Sequence, residues 1–225
     1  DRYGYDGKTV QRTKTVFTMP LKYKEKKSAV WGGRPLIFTS SLTDFFHQDI
    51  DSFRDEAWDI IRRCPHLIFQ ILTKRPERIA EHLPADWGDG WDNVWLGVSA
   101  GNQKNYDEMV GRFWNVKAKL KFLSAEPLHG SLVLRGEAGM EWNEIFQWVI
   151  VGGESGNAFG PYRYRPCHTK WISDIVDQCD ARAVPVFVKQ LGTYLARELK
   201  CRDRHGADIA EFPQSITRRA FHALV

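Results

Sequence analysis

Residues 148–156 read WVIVGGESG. Four apolar residues of strand-forming type run straight into two glycines, a carboxylate and a serine, so the segment is core first and chemistry second. Five other segments repeat that order: residues 36–45 (LIFTSSLTDF), 67–75 (LIFQILTKR), 94–101 (VWLGVSAG), 120–126 (LKFLSAE) and 184–192 (VPVFVKQLG). Each reads as a buried strand that ends in charged or small residues. In a parallel α/β barrel the functional site is built where strands end, from the loops that follow them. The asymmetry therefore predicts both a fold and the place of its chemistry.

Helical patterns lie between the strands. Ser52 and Asp55 make a capping-box-like start, with Asp for the usual Glu, ahead of Phe53, Ala57, Ile60 and Ile61 at helical spacing. Pro76 suits the first turn of a helix carrying Ile79, Ala80 and Leu83. Asn102 is placed to cap a helix with Tyr106, Met109, Val110, Phe113 and Trp114 on one face, and residues 168–183 put Trp171, Ile172, Ile175, Val176 and Cys179 on another. Residues 84–93 (PADWGDGWDN) read as a long turn.

Alternation of strand and helix selects a parallel sheet with right-handed crossovers. An open doubly wound sheet and a barrel both satisfy it. No GxGxxG follows the first strand, which removes the best signal for a dinucleotide-binding sheet. Six strands, with another expected upstream, favour a TIM-like parallel (β/α) barrel that is partial or missing its first strand. The expected division is one α/β barrel domain over residues 1–195. Residues 196–225, rich in charge and poor in periodicity, form a C-terminal extension packed on it.

With 225 residues the chain can bury one sizeable core or two small ones. Its 43% hydrophobic and 27% charged content is that of an ordinary globular protein. No apolar run nears the roughly 20 residues that span a bilayer, and the polar N-terminus has no signal-peptide core, so a cytoplasmic protein without a membrane partner is expected. The first residue is Asp, so native sequence is expected before it. Cys64, Cys167, Cys179 and Cys201 show no CxxC spacing and read as free thiols, Cys64 and Cys179 in the core. A net charge of +4 permits a polyanionic partner without demanding one. Lys14, Lys22, Lys24, Lys26, Lys27 and Arg34 crowd the start, and Arg197, Lys200, Arg202, Arg204, Arg218 and Arg219 the end. They are either a solvated surface or a phosphate-binding rim.

The strand ends supply Ser40, Ser41, Thr43 and Asp44; Thr73, Lys74 and Arg75; Ser99, Asn102 and Gln103; Ser124, Glu126 and Pro127; the run from Gly152 to Gly156; and Lys189, Gln190 and Gly192. On the barrel reading three carboxylates and three cations converge on one rim. Charges gathered at the end of a core are costly unless paired or ligand-bound, which marks the rim as functional. Glu126 and Glu154 can hold a substrate amine, coordinate a metal, or pair with Lys74 and Lys189. The paired glycines form a tight turn or cradle a ligand. His47 is either a rim residue or a polar residue at a helix entry. No HxxxH, HExxH or GxSxG is present, which removes support for zinc peptidase and α/β-hydrolase readings.

Taken in order, SLTDFFH, QILTKRPER, NVWLGVSAGNQ, KFLSAEPL, WVIVGGESG and FVKQLG, with the closing DRHGADIAEFP, resemble the phage-associated three-cysteine-motif family. That family is a domain of unknown function common in phages and bacteria, with a barrel similar to that of radical S-adenosylmethionine (SAM) enzymes. The resemblance covers nearly the whole chain. Its cysteines, ending in a CxxCY-like stretch, lie shortly before the segment matching residues 2–6 (RYGYD), so they are expected upstream of Asp1; the alternative is a relative without the cluster. None of the four cysteines here takes their place, and no residue of the chain is read as a metal ligand.

The resemblance implies SAM and a [4Fe–4S] cluster as cofactors. Three thiolates would hold three irons, and the fourth would take the amino-acid end of SAM. The cofactor then supplies the radical, and the protein positions it and excludes water. On that reading Lys74, Glu126 and Lys189 are candidate catalytic residues, and Asp44, Ser99, Gly152, Gly153 and Glu154 candidate cofactor-binding residues. The implied substrate is a nucleic acid or nucleotide, which the phage association and the basic ends favour. The alternative is a non-catalytic nucleic-acid-binding module on the same barrel, in which the nine tryptophans and the basic ends stack bases and hold phosphates.

Overall fold

The apolar runs form six strands: β1 (Leu36–Phe38), β2 (Ile68–Thr73), β3 (Val94–Ser99), β4 (Leu120–Ala125), β5 (Trp148–Gly152) and β6 (Val186–Gln190). The structure is a computed structural model and describes residues 10, 12–13, 15–23, 34–40, 43–160 and 163–222. The strands make one sheet in the order β1-β2-β3-β4-β5-β6. The pairs β1–β2, β4–β5 and β5–β6 are parallel. A doubly wound sheet reverses its order at a switch point, whereas a (β/α) barrel keeps sequence order. The order here is sequence order, as in a partial (β/α) barrel. Lys14, Lys24, Lys26, Lys27, Ser41 and the RYGYD segment lie outside the described residues. Among those described, no helix is long and apolar enough to cross a membrane.

The chain divides into two compact units, the first from the described residues of Asp1–Gly97 and Val116–Lys119, the second from Val98–Asn115 and Leu120–His222. In the first, β2 is buried at every position but one, with Leu67, Ile68 and Ile71 fully so. Helix α1 (Asp51–Arg62) turns Arg54, Trp58, Ile60 and Ile61 inward. Arg54 takes a core position because its guanidinium donates to the carbonyls of Phe45 (3.2 Å) and His47 (3.0 Å) and pairs with Asp51 (2.5 Å).

Two expectations fail in this unit. Ser52 lies inside α1 and caps nothing: a 3₁₀ turn at Gln48–Ile50 feeds the helix, and His47 Nδ1 accepts from the Asp49 N–H at 3.2 Å. His47 is thus a helix-entry residue. After Pro76 the chain makes two 3₁₀ turns, Pro76–Arg78 and Ala80–His82, in place of a helix. Pro84 accounts for the stop, because its ring excludes the helical region for Leu83, which is extended at φ −79° and ψ 147°.

In the second unit β4 is buried along its whole length, as a strand covered on both faces must be. Helix α2 (Gln103–Phe113) starts where Asn102 accepts from the Asn105 N–H at 2.9 Å. It buries Tyr106, Met109, Val110 and Phe113, four of the five residues assigned to its inner face. The short α3 (Trp142–Ile145) carries a capping box between Glu141 and Glu144. Helix α4 (Thr169–Ala181) buries Ile172, Ile175, Val176 and Cys179, and α5 (Gly192–Glu198) follows β6 directly. Residues 218–220 bond antiparallel to the free edge of β6, Val188 N–H to Arg218 O and Ala220 N–H to Val186 O, both at 2.9 Å. The edge of β6 is thereby covered rather than left as a template for another strand.

Lys121, in β4, is 7% exposed. Its ammonium closes the C-terminal end of α2, donating to Trp114 O at 2.7 Å and Phe113 O at 3.4 Å. Burial pushes its pKa down to about 8 from an ordinary 10.5. The unfolded chain binds the proton more tightly, so the Lys121 contribution to stability is lowest below pH 8 and rises between pH 8 and 10.5. Denaturant melts across that window should show wild type gaining about 3 kcal/mol relative to Lys121→Met. A pH-independent difference between the two proteins would contradict the assignment.

Candidate functional site

Within the second unit, the ends of β3, β4, β5 and β6 are tied together by side chains. Glu126 follows β4. Its Oε2 accepts from Lys189 Nζ at 3.0 Å and its Oε1 from Gln190 Nε2 at 3.2 Å. The Gln190 amide also reaches Gly153 O at 3.0 Å, and the Ser99 hydroxyl donates to the Glu126 carbonyl at 3.2 Å. Of the residues singled out in the sequence, Ser99, Glu126, Gly153 and Lys189 therefore meet here, and Gln190 joins them. The Glu126 side chain is 14% exposed and that of Lys189 55%. The carboxylate is held in place while its cation partner stands largely in water, so the pair opens at little cost.

Glu154 pairs with neither lysine. Arg165 takes it, with backbone N–H and Nε donating to Oε2 at 2.8 Å each and Nη2 to Oε1 at 2.7 Å. That guanidinium holds the Glu154 carboxyl below the usual range. The pair closes the long loop after β5 upon itself. Arg165 carries no sequence signal, since it stands in a loop without periodicity. The glycines of the same motif are explained by backbone packing. A Cβ on Gly153 would collide with the Leu191 carbonyl, and one on Gly192, at φ +82°, would lie 2.6 Å from the Gly153 carbonyl carbon. Buried Thr193 completes the joint: its N–H donates to Glu154 O at 2.9 Å, and its Oγ1 lies 3.1 Å from the Gly156 nitrogen and 2.9 Å from His205 Nδ1.

In the first unit Asp44 is a saturated hub, its side chain 12% exposed. Oδ1 accepts from the Phe46 N–H (2.9 Å) and the Thr73 hydroxyl (2.7 Å), and Oδ2 from the Lys74 N–H (2.8 Å) and Arg75 Nη1 (3.1 Å). It ties the loop after β1 to the end of β2. Lys74 takes part through its backbone, and its side chain is exposed. Also in this unit, a concavity of about 420 Å³ is lined by Arg34, Pro65, Gly90, Trp91, Asp92, Asn93 and Lys119. These residues precede strands. Arg34 spends its guanidinium there on the Pro65 carbonyl (2.6 Å) and the Asp92 carbonyl (3.4 Å). In barrel folds that end serves stability rather than chemistry.

Thiolate, not thiol, ligates iron. Cys64, Cys167 and Cys179 are buried, and burial pushes the Cys167 and Cys179 thiols up to about 12 and raises Cys64 as well. Among the described residues no three His, Cys, Asp or Glu gather as a metal site. These residues do not fit an iron–sulfur cluster. The tryptophans also have duties elsewhere: Trp58, Trp87, Trp95, Trp142 and Trp148 are buried, and half-buried Trp91 lies under the Arg62 guanidinium at 4.8 Å.

A family model described as a protein of unknown function, DUF5131, matches residues 2–215. No characterised protein and no solved structure matches the chain.

Removing Asp44 strands two backbone N–H groups, a hydroxyl and a guanidinium together. Asp44→Ala should cost about 3 kcal/mol in denaturant unfolding, whereas Lys74→Met should stay within about 0.5 kcal/mol of wild type. Equal stability of Asp44→Ala and wild type would remove Asp44 from the role of hub.

Proposed function

This chain belongs to the DUF5131 family of proteins of unknown function, and for it we propose a cytoplasmic enzyme domain of TIM-like barrel type that acts on a nucleotide or a nucleotide unit of nucleic acid. The observation that carries the reading is the Glu126–Lys189 pair, 3.0 Å long and set where strands of the second unit end. Barrel enzymes place their chemistry at strand ends, and the sequence-ordered sheet supports that architecture. Four unpaired thiols suit a reducing compartment.

The pair offers both signs of charge to one ligand. Glu126, fixed by Gln190, accepts from an exocyclic amine or ribose hydroxyl, and Lys189 swings to an anionic group such as phosphate. Lys189 is an exposed ammonium on a flexible stem, so it is suited to a point contact with phosphate. The motif resemblance implies radical chemistry on SAM, which depends on thiolates that Cys64, Cys167, Cys179 and Cys201 do not supply.

Titration calorimetry with the common nucleoside monophosphates tests this reading. At least one should bind with a Kd below about 1 mM. Lys189→Met should weaken it at least about tenfold, equivalent to ~1.4 kcal/mol, with the melting temperature unchanged because Lys189 stands largely in water and Gln190 still holds Glu126. No binding by wild type, or equal binding by the variant, overturns the proposal.

A further inference from the structure

In the second unit, the loop after β5 displays Phe159 with 86% of its surface in water. The described residues on either side of the ring are tied to one another. Asn157 bridges to Arg163, the Tyr164 N–H donates to Asn157 O at 3.1 Å, and the Glu154–Arg165 clamp closes the base. Exposing an aromatic ring costs hydration free energy.

Three arginines stand around this loop, and none of them pairs with a carboxylate among the described residues. Arg204 donates to Asn157 Oδ1 at 3.0 Å and Gly156 O at 3.3 Å, Arg197 to the Tyr164 hydroxyl at 3.0 Å, and Arg163 is exposed. Four other cations of the same unit do have carboxylate partners: Arg165 has Glu154, Arg202 has Glu211, Arg182 has Glu141 and Lys170 has Asp174.

We propose that this loop binds single-stranded nucleic acid, with Phe159 stacking on a base and Arg163, Arg197 and Arg204 holding the flanking phosphates. A displayed ring on a loop that also holds planar guanidinium groups matches alternating flat bases and phosphates. A membrane would ask for a wider apolar patch, and an acidic peptide has no need of the ring. Duplex DNA hides its base faces and offers nothing to stack on. The inference rests on the nucleotide reading above only for the destination of the strand, since the binding itself is independent of Glu126 and Lys189.

Fluorescence anisotropy with labelled twelve-residue oligothymidylate and oligouridylate tests the proposal and separates a DNA from an RNA preference. Wild type should bind at least one at about 50 mM salt and weaken as salt rises. Phe159→Ala should lose about tenfold, and Phe159→Trp should keep the affinity. Arg163→Gln with Arg197→Gln should flatten the slope of log K against log salt by about 1.4, at ~0.7 per phosphate contact. Mononucleotide titration of Phe159→Ala reads the strand-end site separately: unchanged binding there with strand affinity lost assigns the loop alone. Unaltered strand affinity in Phe159→Ala overturns the proposal. So does equal binding of duplex, binding of anionic phospholipid vesicles in place of the strands, or no binding of either strand. Strand binding without mononucleotide binding sinks the strand-end site and leaves the loop standing.

Discussion

The ends of β5 and β6 approach so closely that no Cβ fits between Gly153 and Gly192. The arrangement of the second unit's site depends on that contact. It brings the Gln190 amide to Gly153 O and Glu126 together, and sets the Thr193 N–H against Glu154 O. Gly192 must also hold φ +82°, a conformation that side chains resist. Two glycines at strand ends are therefore an answer to backbone crowding. Glu126, Lys189 and Gln190 join through their side chains beside them.

A second theme is the use of cations to satisfy backbone carbonyls. Arg54 and Arg78 hold the carbonyls of Phe45, Phe46 and His47, Lys121 ends α2, and Arg219 donates to Val188, Lys189 and Ala207. A buried carbonyl without a donor is costly, and a long cationic side chain reaches it from outside the element that owns it. The arginines that remain available in the second unit are better identified by their lack of carboxylate partners than by their crowding in sequence.

The two carboxylate sites divide the labour. Asp44 accepts four hydrogen bonds and has no capacity left for a ligand. Glu126 accepts two, one of them from a lysine largely in water. Similar positions after apolar runs therefore leave different room for a ligand, decided by how many donors the surrounding backbone and side chains already provide.

By itself, the sequence determined the six strands, the faces of α2 and α4 and the burial of Cys64 and Cys179, because these follow from apolar periodicity within one short segment. It also marked Glu126, Lys189 and Gly153 as strand-end residues, since each directly follows or closes a buried run. Tertiary structure alone decided the partners. Arg165 reaches Glu154 from eleven residues away in a loop without period, and Arg54 occupies a core position that periodicity reserves for an apolar residue. The turns after Pro76 end at Leu83 because Pro84 follows, a local rule that apolar spacing alone misses. Periodicity records which side of an element faces inward. Which donor meets which acceptor depends on distances between segments far apart in the chain, and only the folded backbone sets those.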